Sequence, residues 1–239
     1  MASFVGVVVA RLNTGQSFLT SRSRCDVCTA SLSSRSLVPI LSYFISSGRA
    51  RCCSARISPL APITEFLFGF LFALSYFTLG FSLSIAPFLF SLSLLLALVL
   101  YDLRHQILPT PLLIAFVLSS VLTGFFLAPS LDAFYATAFT AFFIATSLAL
   151  IHFLSRGRAM GLADAPLAFG LSLLVGPIAL SGFIFSFWIG ALIGIVVLLR
   201  RPVGSRIGSE VPFAPFLAAG FLLAYFTQWN PFIFAVVLR

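Results

Sequence analysis

From residue 61 onward the sequence is a succession of apolar runs, each close to the length of a bilayer crossing and separated by short gaps. A helix needs about 20 consecutive apolar residues to traverse the hydrocarbon core. Runs of that kind, one after another, exclude a water-soluble globule. The composition agrees, with 60% hydrophobic and 8% charged residues over 239 positions, because so few charges cannot clothe a soluble surface. In hydrocarbon every backbone donor and acceptor must be satisfied within the chain, which for runs of this length means helices. The expected fold is all-α, a polytopic transmembrane helix bundle of about seven or eight spans, with a small Cys-containing unit near the N-terminus.

The expected spans lie near 62–80, 84–101, 110–128, 133–154, 165–180, 182–199 and 211–228. Gly80, Pro129, Gly157, the Gly176-Pro177 and Ser181-Gly182 pairs and Pro202 mark the breaks. Phe4 to Ala10 is too short to cross a bilayer and follows no basic region, so it reads as an interfacial segment or the stub of a first span rather than a cleavable signal. Residues 12–60 are polar, rich in serine and arginine, and hold all four cysteines. The expected division is therefore a stub at 1–11, a cytoplasmic unit at 12–60 and a transmembrane domain at 61–239.

All 14 basic residues are arginine and the formal net charge is +8, a balance that elsewhere points to nucleic acid. Here most of the arginines sit between the apolar runs, in Arg22 to Arg56, Arg104, Arg156 and Arg158, and Arg200 to Arg206, with Arg239 the exception. That distribution follows the positive-inside rule. No nucleic-acid partner is expected. These four segments are separated pairwise by two crossings, while the loops near 81–83, 129–132 and 181 contain no arginine. Both facts place the basic segments on the cytoplasmic face.

Six acidic residues exist in the chain, and carboxylates at membrane depth are costly enough to suggest function. Asp102 and Asp164 fall at the ends of expected spans on that same face. Facing carboxylates can hydrolyse a peptide bond, one taking a proton from water and the other polarising the scissile carbonyl. Their mutual repulsion separates the two titrations. A structural alternative stays open, in which Asp102 pairs with Arg104 or another local arginine and Asp164 caps a helix beginning at Ala165. Glu65 reads either as a site residue or as the partner of an arginine. Asp132 reads as a loop or cap residue on the far side, Glu210 as a neighbour of Arg206, and His105 and His152 as interfacial hydrogen-bonding residues rather than ligands.

Tyr101-Asp102-Leu103-Arg104-His105-Gln106-Ile107-Leu108-Pro109 resembles the first catalytic segment of the prepilin peptidases, membrane aspartyl proteases. Gly161-Leu162-Ala163-Asp164-Ala165-Pro166 is similar to their second segment, usually GxGD followed by a hydrophobic residue and lysine. Further likeness runs through Ser3-Phe4-Val5 to Arg11-Leu12, Leu37 to Ser42, Ile57-Ser58-Pro59, and Val211-Pro212-Phe213-Ala214-Pro215-Phe216-Leu217-Ala218. Two departures stand out. Ala163 replaces a glycine, which requires a helical or extended backbone there, and Pro166 replaces the lysine, which removes a cation from beside the dyad while suiting the first turn of a helix.

The resemblance implies an endopeptidase of the cell inner membrane that trims prepilin or pseudopilin precursors among membrane lipid, with Asp102 and Asp164 as the catalytic pair facing the cytoplasm. It also implies a zinc held by two C-x-x-C pairs. Cys25 and Cys28 keep that spacing, whereas Ala50 stands where the partner of Cys53 belongs and Cys52 lies adjacent, so four-thiolate zinc requires an altered turn. Reduced thiols are the alternative. N-methylation with S-adenosylmethionine is a further family activity that no residue here argues for independently; the peptidase step requires no cofactor. The rival readings are another intramembrane aspartyl protease, preflagellin peptidase or presenilin-like, and a non-catalytic transporter or structural membrane protein.

The arginine asymmetry makes the topology testable. With native cysteines replaced, an impermeant thiol reagent applied to intact cells should label Asp132→Cys and spare Arg158→Cys. The opposite pattern would invert the bundle.

Overall fold

The computed structural model describes residues 5, 6, 9, 28, 39–50, 52–158, 160–200 and 212–231. Eight α-helices run through them: α1 (Pro39–Ile45), α2 (Leu60–Leu79), α3 (Ile85–His105), α4 (Thr110–Leu127), α5 (Leu131–Leu154), α6 (Asp164–Val175), α7 (Ala179–Arg200) and α8 (Ala214–Thr227), with a 3-10 turn at Gly176–Ile178 between α6 and α7. Apart from one antiparallel bridge between Arg49 and Arg56, no β-structure occurs among the described residues. The all-α membrane bundle read from the sequence is the observed fold.

Five segments have the length and composition to cross a membrane: Leu60–Leu79, Ile85–His105, Thr110–Leu127, Leu131–Leu154 and Asp164–Val197, with Ala214–Thr227 a shorter apolar helix. The expected count of seven or eight is not reproduced among the described residues, for identifiable reasons. The first-span stub lies largely outside them. The runs expected at 165–180 and 182–199 are broken at Gly176, where φ is +72°, rather than at Ser181-Gly182, and the chain reverses there: Leu173 packs on Gly124, while Gly182 and Gly190 pack on Phe221 and Phe216 of α8. The interruption leaves α6 with 12 residues, about 18 Å of helix against a hydrocarbon core of about 30 Å.

The chain divides into two compact units, Met1–Phe77 and Thr78–Arg239. In the first, a tight turn reverses the backbone between Ala50 and Ala55. The Ala50 N–H donates to the Ala55 carbonyl at 2.8 Å and the Ser54 N–H returns to the Ala50 carbonyl at 2.8 Å, with Ser54 left-handed at φ +56°.

In the second unit α6 is the core. Asp164, Ala165, Leu167, Ala168 and every residue from Gly170 to Val175 are buried, because α4, α5 and α8 pack around it. A helix apolar on all sides belongs in such a place. Lipid offers no hydrophobic drive between helices, so close approach depends on small residues. A Cβ on Gly124 would stand 2.8 Å from the Leu173 carbonyl oxygen, and one on Gly220 would collide with the backbone nitrogen of Ser186. These contacts seat α4 on α6 and α7 on α8. Between α3 and α4 the contact is polar: the Ser91 hydroxyl donates to Ser119 Oγ at 2.9 Å and lies 3.1 Å from Thr123 Oγ1.

The Gly220 contact is backbone against backbone and cannot be relieved by a rotamer change, whereas a Cβ on Gly194 meets nothing within 4 Å. Gly220→Ala should therefore destabilise the detergent-solubilised protein by about 1–3 kcal/mol. Gly194→Ala should leave thermal unfolding unchanged or raise it slightly.

Candidate functional site

Asp102 reaches its position through helical periodicity. Phe88, Ser91, Leu92, Leu95, Leu98, Tyr101 and Asp102 are the buried positions of α3 along one stripe, the spacing of a single face at 3.6 residues per turn. The helix runs four residues beyond its expected end at 101, with Arg104 and His105 in the last turn, and closes at Gln106 in the left-handed region (φ +54°), whose N–H donates to the Asp102 carbonyl. Cations in the last turn favour that extension. Asp102 thus lies inside the terminal turn, 6% exposed.

Its side-chain partner comes from 112 residues downstream: Asp102 Oδ2 accepts from the Ala214 N–H at 3.3 Å. Ala214 is the first residue of α8, so its N–H is one of the donors that a helix start leaves without an intrahelical acceptor. The positive end of the helix dipole adds to the attraction. The sequence singles out Val211 to Ala218 as a segment, yet nothing in it names Ala214 as the donor.

Asp164 opens α6 and is 7% exposed. Its Oδ2 accepts from the Gly161 N–H at 3.2 Å, reaching backward out of the helix. Ala163, at φ −69° and ψ −16°, is the helix N-cap position. Alanine there meets the helical requirement stated above, so the departure from glycine costs the backbone nothing. Pro166 is the third helical residue, within the first turn, where a missing N–H leaves no hydrogen bond unmade.

The two carboxylates end up together. Between them the chain makes two crossings, α4 of 18 residues and α5 of 24, which returns it to the end of the bundle where α3 finished. Neither structural alternative appears among the described residues: Asp102 and Asp164 each accept from a backbone N–H rather than from a cation or from their own helix. Asp132 stays apart, exposed in the first turn of α5 beside the Ser130 cap, whose Oγ accepts from the Ala133 N–H at 3.2 Å. About 36 Å of helix separates that turn from the other end of α5. Glu65 belongs to α2, in the first unit; Glu210 lies outside the described residues.

A second cluster forms in the first unit. Ligand atoms of Cys28, Cys52 and Cys53 lie within 4.8 Å of one another, with Cys28 Sγ 3.2 Å from Cys52 Sγ and Cys52 Sγ 3.9 Å from Cys53 Sγ. The Ala50 to Ala55 turn accomplishes this by carrying the adjacent cysteines at its tip. Cys25 lies outside the described residues. Three converging thiols suit a metal ion: tetrahedral zinc with Zn–S near 2.3 Å sets its sulfurs on the order of 3.8 Å apart.

Comparison with known proteins finds two matching family models and several relatives. A family model described as the bacterial peptidase A24 N-terminal domain matches residues 1–79, and one described as the type IV leader peptidase family matches residues 89–199. A prepilin leader peptidase/N-methyltransferase of Bacillus subtilis (strain 168) is 32% identical over 226 residues, covering 94% of this chain and 89% of its own. A protein of the same name from Myxococcus xanthus (strain DK1622) is 31% identical, covering 83% of this chain and 60% of its own. A type 4 prepilin-like proteins leader peptide-processing enzyme of Escherichia coli O78:H11 is 27% identical, with 87% and 76% covered. No solved structure matches the chain significantly. The chain belongs to the type IV leader peptidase family.

Proposed function

We propose that this member of the type IV leader peptidase family is an inner-membrane aspartyl endopeptidase that removes the leader of prepilin-like precursors at the cytoplasmic face, with Asp102 and Asp164 as its catalytic pair. The observation that carries the reading is the pair of buried carboxylates at one end of the bundle, each held by a backbone N–H. Relatives named for leader peptidase activity supply the substrate class.

In this reaction the ionised carboxylate of the pair takes a proton from water as the oxygen attacks the scissile carbonyl. The protonated partner donates a hydrogen bond to the carbonyl oxygen, and a proton then passes to the departing amine as the C–N bond breaks. The Ala214 and Gly161 N–H groups hold one oxygen of each carboxylate.

The test is cleavage of a precursor by membranes carrying single variants. Asp102→Asn and Asp164→Asn should each abolish cleavage, a loss of at least about 1000-fold, while membrane insertion stays intact, because an amide can neither accept the water proton nor share one. Asp132→Asn should cleave as wild type. Substantial activity in either of the first two variants would overturn the assignment, and substrate-dependent flux without processing would favour a transporter.

We further propose that Cys28, Cys52 and Cys53, with Cys25 as the fourth thiolate, hold a structural zinc. When bound, the ion would supply folding energy to the first unit rather than chemistry to the peptidase step. Purified protein should contain one zinc per chain by elemental analysis, and Cys28→Ser or Cys52→Ser should lose it and lower the unfolding temperature. Full stability in chelator would argue for reduced thiols. The N-methyltransferase activity named for the relatives is carried over only as a family expectation, with S-adenosylmethionine as donor.

A further inference from the structure

At the end of α5 the His152 ring turns toward the loop that leads to Asp164. His152 Nδ1 lies 2.8 Å from the Met160 carbonyl oxygen. A carbonyl only accepts, so the ring donates from Nδ1. The loop is shaped for that contact. Arg156 and Gly157 are both left-handed, at φ +52° and +76°, and the Gly157 N–H donates to the His152 carbonyl at 2.8 Å. A Cβ on Gly157 would stand 3.3 Å from His152 Cε1, so a side chain there would crowd the ring.

The Met160 carbonyl and the Gly161 N–H are the two ends of one peptide group. That group is planar and trans, and its C=O and N–H point in opposite directions. His152 holds the carbonyl end; Asp164 Oδ2 accepts from the N–H end at 3.2 Å. Fixing one end of a rigid plane fixes the direction of the other. We propose that His152 is a positioning residue for Asp164: it clamps the Met160–Gly161 peptide in the orientation that presents the Gly161 N–H to the carboxylate. Its role in catalysis rests on the peptidase reading above, whereas the clamp itself does not.

Two variants separate the clamp from simple packing. His152→Phe keeps the ring and removes the donor. His152→Asn places an amide N–H near the position of Nδ1. Two readouts are taken on full-length protein in detergent. The first is steady-state cleavage of a precursor, and the second is trypsin cutting at the exposed Arg156 and Arg158, followed by mass spectrometry. With His152→Phe, kcat should fall about 10-fold or more while KM stays within about twofold, since misplacing a reacting group costs rate at constant binding. Cutting at Arg156 and Arg158 should speed up several-fold. With His152→Asn both should return to within about threefold of wild type. Equal losses in the two variants, or a Phe variant with wild-type kcat and cutting rate, would overturn the proposal. If wild-type protein cleaves no precursor, the peptidase reading falls, and the trypsin comparison still decides whether His152 clamps the loop.

Discussion

A carboxylate inside a helix bundle stays where the bundle can turn a donor toward it. Here each of the two acids is met by a backbone N–H, Asp102 by Ala214 and Asp164 by Gly161, and the rest of the second unit can be read as the means of bringing those amides into place. The Ala214 amide is available because α8 starts there. The Gly161 amide is available because the chain bends back before α6 begins. Burial away from water strengthens both bonds and raises the cost of leaving either acid without one.

The position of α6 follows from packing rather than polarity. It is too short to span and too apolar to face water, so it is enclosed by longer helices at distances that only small residues permit. Gly124 against the Leu173 carbonyl sets one side. The serine and threonine contacts between α3 and α4 hold the neighbouring pair in register. Through α4, the helix that carries Asp102 and the helix that carries Asp164 are thereby packed on a common partner.

Much of this was legible in the sequence. Apolar length gives the helices to within a few residues, and arginine asymmetry with the count of crossings puts Asp102 and Asp164 on one side. Other parts were not legible, for physical reasons. Backbone donors have no sequence signature, so Ala214 could be noticed as part of a segment but not as the partner of an acid 112 residues away. Gly176-Pro177 and Ser181-Gly182 both suit a break between runs, and only packing around α6 decides that the chain turns at the first. The adjacent Cys52 and Cys53 looked irregular because a C-x-x-C spacing presumes one turn geometry; the left-handed Ser54 provides another. His152 was legible as a hydrogen-bonding residue, whereas its partner depended on how the loop after α5 folds back.

Holding both acids by main-chain amides has a consequence for how such a chain can drift. A side-chain donor is lost with almost any substitution of its residue, but an amide survives every replacement except proline. The alanine at 214 illustrates the latitude: its N–H would meet Asp102 whatever side chain the residue carried, short of proline. Genetic robustness of this kind concentrates vulnerability in the two aspartates themselves and in whatever keeps the peptide planes beside them from rotating, while the residues lining the motif are left free to vary in size and polarity.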